Sequence, residues 1–170
     1  MPSLLPVQPF QETLHAGMCG PASLKMILAY YGVEKTEAEL AQMCGTNPNL
    51  GTDCIGIKNA AERLGFTVEI QSNSTFDDIQ KRLDKKVPVI INWFTRGRTD
   101  YDASEVPDGH LSVVVGLDKE HIYLQDPEIG ALRKISRDDF LKVWFDFKGE
   151  YITSWSDLII RQLIAIYPQK

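Results

Sequence analysis

Three observations on this 170-residue chain predict an α+β fold in which N-terminal helices pack on a C-terminal antiparallel β-sheet. Helical periodicity dominates the first half, β-branched and alternating runs dominate the second, and the βαβ rhythm of a parallel sheet is missing. Nothing repeats internally and no linker divides the chain, so a single domain is expected over residues 1–170.

The elements follow in order. Leu24, Ile27, Leu28 and Tyr31 recur at i, i+3, i+4 and i+7, which predicts a helix with one buried face. Pro21 suits its first turn, where a missing N–H costs nothing, and Gly32 ends it. Thr36 and Glu39 form a capping box opening a second short helix through Leu40 and Met43, which Gly45 stops. Ile57, Ala60, Ala61 and Leu64 predict a third helix ended by Gly65, and "FTVEI" follows as a strand. A fourth helix starts near Thr75, with Asp77 and Asp78 in its first turn and Phe76, Ile79 and Leu83 facing inward. After Lys86 the runs "VPVIINWF", "HLSVVVGL", "HIYLQD" and "LIIRQLIAIY" read as strands, and "SRDDFLKVWF" reads as a short helix capped by Ser136. The polar stretch Thr95 to Gly109 is a long loop that delivers the chain to His110, and loops of this length in small domains are commonly functional.

Hydrophobic residues make up 44% of the chain and charged residues 24%, which fits a globular protein and suggests neither disorder nor a membrane span. A formal net charge of −5 with both signs interspersed supplies no basic stripe, so neither nucleic acid nor membrane is an expected partner. The N-terminus lacks a positively charged start, and prolines interrupt its apolar stretch. It does not read as a secretory signal, and a cytoplasmic location is expected. Cys19, Cys44 and Cys54 are an odd number with no C-x-x-C pair, which argues for free thiols rather than a disulfide framework or a structural metal.

Cys19 opens the first helix, where unpaired N–H groups and the helix dipole favour an anion and so a thiolate; the bland alternative is a packed thiol. His110 begins a strand at the end of the long loop, where an imidazole is both fixed and accessible. Asp126 ends the next strand ahead of Pro127. A hairpin turning at Asp118 and Lys119 sets Asp126 within reach of the His110 ring, although a surface His–Asp pair would have the same signature. A thiol, a base and an acid able to orient the base are the components of acyl transfer. Cys44 and Cys54 read as packing residues, with Cys54 carrying the alternative of a resolving thiol. His15 and His121 have no partner identifiable from sequence, and Trp93, Trp144 and Trp155 read as core or interface anchors.

The stretches "CGPASLKMILAYYG", "GTDCIGIKNAAERLGF" and "GHLSVVVGLDKEHIYLQDP" resemble, in that order and at similar intervals, the C39 and C39-like cysteine peptidases, from about Phe10 to Phe140. The resemblance implies a papain-like fold, a peptide or protein substrate and no cofactor or metal. It assigns Cys19 as nucleophile, His110 as base and then acid, and Asp126 as the group that holds the imidazole. It also implies a glutamine whose amide joins the Cys19 N–H in binding the oxyanion. That glutamine usually lies about six residues before the cysteine; here Gln11 lies eight before and Gln8 eleven before, and Gln11 is the expected donor. Met18 stands where the family often has Asp or Asn. The chain ends at Lys170 without a transporter, which favours a stand-alone domain over a leader peptidase of an exporter. The expected function is a cysteine-type peptidase or thiol hydrolase. The alternatives are a silent peptide-binding module and an amidase or transglutaminase-like transferase on the same residues.

Overall fold

The structure, a computed structural model, describes residues 2–105 and 107–170; Met1 and Val106, the latter inside the long polar loop, lie outside the described residues. The helical half holds α1 (Cys19–Tyr30), α2 (Glu37–Cys44) and α3 (Cys54–Arg63), then β1 (Phe66–Gln71) and α4 (Phe76–Asp84). The second half runs β2 (Val89–Phe94), β3 (Gly109–Leu117), β4 (His121–Asp126), β5 (Ala131–Ser136), α5 (Arg137–Val143), β6 (Phe145–Phe147), β7 (Leu158–Ile160) and β8 (Leu163–Pro168). Six strands form one antiparallel sheet in the order β1-β8-β2-β3-β4-β5, and β6 pairs with β7 in a separate ribbon. Leu24, Ile27 and Leu28 of α1 and Ile57 and Ala61 of α3 are fully buried in the same hydrophobic cluster as Ile90, Val113 and Leu124 of the sheet. The helices thus cover a β-sheet, as the two periodicities require.

The caps are where the sequence puts them. Thr36 with Glu39 and Thr75 with Asp78 make reciprocal capping boxes, and the Ser136 hydroxyl accepts from the Asp139 N–H. Three readings need correction. The run "LIIRQLIAIY" is two strands in two different sheets, because Arg161 turns the backbone into the left-handed region (φ 45°) and donates its N–H to the Trp144 carbonyl. The segment "SRDDFLKVWF" leaves the helix at Trp144, and Phe145 opens β6. Strand β5, "ALRKIS", was not expected: as an edge strand it buries little, so charged side chains replace the apolar alternation. Trp93 and Trp144 are core residues, whereas Trp155 is 88% exposed.

Candidate active site

Cys19 is the first residue of α1, and Met18 before it offers no side-chain cap. Pro21 has no N–H, so the first turn presents the N–H groups of Cys19 and Gly20 uncapped by any side chain. The half-buried thiol is held in place by the backbone on both sides. Gly17 has φ 67° and passes so near the Asn47 carbonyl that a Cβ would sit 2.8 Å from it. Gly20 presses on Thr52, where a Cβ would come within 2.7 Å, and on Leu111 of β3. The Ser23 hydroxyl donates to the Leu111 carbonyl at 3.3 Å, which fastens α1 to the strand that carries the base.

His110 is the second residue of β3, buried, and opposite Trp93 of β2, whose ring meets the imidazole edge-on with centroids 5.6 Å apart. The β3–β4 register, with Val113 opposite Gln125, carries Asp126 to the same face. His110 Nε2 lies 2.6 Å from Asp126 Oδ1, and the Cys19 thiol lies near enough to the ring to act on its charge. Nδ1 is the nitrogen left to face the thiol. Burial works against the imidazolium. The Asp126 carboxylate and the Cys19 sulfur outweigh it, so the His110 pKa rises well above its ordinary value. Burial likewise works against the Asp126 carboxylate, yet the charges and hydrogen bonds of His110 and Arg133 hold its pKa down to about 2.

The structure therefore brings Cys19, His110 and Asp126 together, and it does not bring Gln11 to them. Gln11 is exposed, its amide donates to the Glu128 carbonyl at 3.1 Å, and its Cβ lies against Gly130. Of the neighbours Gln11 and Glu12, the one that lines the cleft is Glu12, whose own N–H donates to the Pro127 carbonyl. Successive side chains of an extended segment point to opposite sides, which separates the two neighbours.

One neighbour of Asp126 escaped the sequence. Arg133 on β5 donates its Nε to Asp126 Oδ2 at 2.7 Å, approaches Glu105 at 3.5 Å, and Glu105 in turn meets Arg98 at 2.8 Å. A row of alternating charges thus runs from the long loop to the imidazole. Its one sequence signal was Pro127-x-x-Gly130: that spacing makes a tight hairpin in which Asp126 pairs with Ala131, two residues from Arg133 on the same face. His110, Asp126 and Glu128 each offer a ligand atom within 4.8 Å of the others. The Asp126 oxygens, however, already serve His110, Arg133 and the Glu128 N–H, which suits a positioned base rather than a metal site.

A cleft of about 550 Å³ opens over Cys19 and His110, bounded by the loops at residues 12–17 and 48–52 on α1's flank and by residues 107–110 and 146–150 across from them. Cys54 is half-buried at its sulfur, which accepts from the Gln162 amide at 3.7 Å, and Cys44 is buried. Burial raises both thiols, Cys44 to about 12.

N-terminal helices packed on a C-terminal antiparallel sheet are the architecture of C39-like peptidase domains. The chain belongs to the Peptidase_C39 like family, which matches residues 5–152. It is 33% identical over 128 residues to the lactococcin transport/processing ATP-binding protein LcnC-like of Lactococcus lactis subsp. lactis, covering 74% of this chain and 16% of that protein. It is 32% identical over 126 residues to an uncharacterized protein of Methanothermobacter marburgensis, covering 74% of this chain and 75% of that one. The chain thus spans only a small part of the transport/processing relatives. A putative C39-like peptidase from Bacillus anthracis shares the fold at TM-score 0.69 and 18% identity over 100% of this chain and 99% of that one. The peptidase domain of Streptococcus ComA does so at TM-score 0.64 and 21% identity, over 96% and 99%. No helix among the described residues is long and apolar enough to cross a membrane.

Proposed function

We propose that this protein, a single domain over residues 1–170, is a thiol hydrolase that cleaves a peptide or amide bond through a thioester on Cys19. The observation that carries the reading is one imidazole shared between the Cys19 sulfur and the Asp126 carboxylate at the wall of an open cleft. His110 takes the thiol proton through Nδ1, and the sulfur adds to the carbonyl carbon. The same proton passes to the leaving amine as the C–N bond breaks. Water, deprotonated by the freed imidazole, then splits the thioester and returns the thiol. Asp126 keeps the Nε2 proton in place and stabilises the imidazolium, and the Cys19 N–H faces the developing oxyanion. A peptide substrate is supported by the relatives described as transport/processing proteins, and by a solved neighbour of the same fold (TM-score 0.62, 19% identity) that is a double glycine motif protease in complex with a leader peptide. A stand-alone arrangement is supported by the Methanothermobacter protein, three quarters of which the match covers. A cytoplasmic setting is supported by three cysteines that are all free.

Iodoacetamide near neutral pH tests the nucleophile. Cys19 is expected to label first, at least about tenfold faster than Cys44 or Cys54, whose thiols burial holds protonated. Faster labelling at either of those positions in the folded protein, read by peptide mass, removes Cys19 from the role.

Gln11 serves as the second oxyanion donor in this reading, which requires its amide to exchange the Glu128 carbonyl for the reacting oxygen. Gln11→Ala is then expected to slow turnover by roughly 10²-fold with Cys19 labelling intact. Unchanged turnover would leave the Cys19 N–H without that partner.

A further inference from the structure

We propose that the cleft selects peptides that place a lysine or arginine side chain beside the bond presented to Cys19; this substrate class rests on the peptide-processing reading above. The site is defined by the cleft and by the Cys19–His110–Asp126 contact, and the charges around it decide what fits. Of the 23 described residues that line the cleft, five are Asp or Glu and none is Lys or Arg. They arrive from separate parts of the chain: Glu12 from the N-terminal segment, Glu128 from the β4–β5 turn, Asp108 from the long loop, and Asp146 and Glu150 from β6 and the segment after it.

Elsewhere this protein pairs its enclosed carboxylates with cations: Asp126 with Arg133, Glu105 with Arg98, Asp139 with Lys142. The cleft departs from that rule. Among the described residues Asp146 accepts only the N–H of its neighbour Phe147, at 2.7 Å, and the Glu12 carboxyl has no hydrogen-bond or ion-pair partner. Asp146 is also set deliberately close to the reacting ring. Its carboxyl occupies the space above Gly109 that any side chain there would take, a Cβ falling 2.1 Å from Oδ1, and Gly109 immediately precedes His110. Burial, chiefly, and neighbouring carboxylates push both Glu12 and Asp146 up to about 7 although His110 pulls each down. Half-buried carboxyls without a lysine or arginine partner stay penalised for ionising despite the pull of His110. An ammonium or guanidinium entering between them removes the penalty, while a carboxylate adds to it.

The test uses three peptides of one sequence, capped at the N-terminus and ending in the same thiol-reactive vinyl sulfone, with lysine, norleucine or glutamate next to the warhead. The rate of Cys19 modification, followed by intact mass at low ionic strength, is expected to rise about tenfold from norleucine to lysine and to fall about tenfold from norleucine to glutamate. The lysine-to-glutamate ratio should shrink toward one at high salt and in the Glu12→Gln/Asp146→Asn double variant. A norleucine peptide with a free α-amine, run alongside, separates a side-chain cation from a terminal one: acceleration by the terminal amine alone would overturn the side-chain assignment. Equal rates for the three capped peptides on a protein whose Cys19 reacts with iodoacetamide overturn the charge selection and leave the nucleophile standing. If Cys19 reacts with neither reagent, the hydrolase reading fails, and charge selection is decided by fluorescence anisotropy of labelled lysine and glutamate peptides on Cys19→Ala. Tighter binding of the lysine peptide supports it, and equal binding ends it.

Discussion

Cys19→Ala is expected to abolish thioester formation outright, and His110→Ala to slow it by at least about 10³-fold. The first change removes only the sulfur of a half-buried residue at a helix start, so the fold has little reason to respond. The second removes a buried ring that packs edge-on against Trp93, yet Asp126 keeps Arg133 and the Glu128 N–H, so no carboxylate is stranded. A moderate drop in melting temperature is therefore expected for His110→Ala, and none of note for Cys19→Ala. Intact mass after exposure to an activated peptide ester reads the acyl-enzyme directly. An adduct on Cys19→Ala, or undiminished acylation of His110→Ala, would take the chemistry away from this pair.

Asp126→Asn is expected to cost about 10- to 10³-fold in turnover and, unlike Cys19→Ala, to cost stability as well. Asp126 Oδ1 faces His110 Nε2 and Oδ2 faces Arg133 Nε, so both oxygens meet donors. Asparagine offers one oxygen and one NH₂. If its oxygen stays with His110, the amide N–H confronts the guanidinium; if it turns to Arg133, the amide favours the wrong imidazole tautomer. In the first case a buried donor loses its acceptor, at about 1–3 kcal/mol, and in both Arg133 loses the carboxylate charge it meets at 2.7 Å. The pH dependence carries an independent check. A carboxyl whose pKa is held at about 2 in the fold contributes stability that is complete above its ordinary pKa and is lost as the pH falls toward 2. Wild type should show that acid loss in denaturant titrations and Asp126→Asn should lack it. Equal acid profiles would mean that the buried ion pair does not form in solution.

How much of this was legible depends on where each residue lies. Cys19, His110 and Asp126 each sit at the end of an element marked by turn or breaker residues: Pro21 after the first, the Pro-Asp-Gly before the second, Pro127 after the third. Their approach then followed from one helix and one hairpin. Gln11 lies in an irregular segment with no periodicity, so nothing in the sequence said which of two neighbouring side chains faces the cleft. Arg161 hid a sheet change, because an apolar run continues through a residue whose unusual backbone angle leaves no trace in hydropathy. Arg133 was hidden by an edge strand whose charged alternation looks like loop. The acidic lining of the cleft is assembled from distant segments and has no local pattern at all.

The fastening of α1 to β3 through Ser23 and Leu111 joins segments almost ninety residues apart, and Cys19 and His110 meet only across that joint. Closing so large a loop is slow compared with winding the helix, which needs only local contacts. During synthesis Cys19 emerges well before the strand that brings the imidazole has been made. On the hydrolase reading the growing chain therefore carries a cysteine without its base, and the thiol gains that base only when the sheet docks. A half-made copy would then be unable to cut itself or its neighbours.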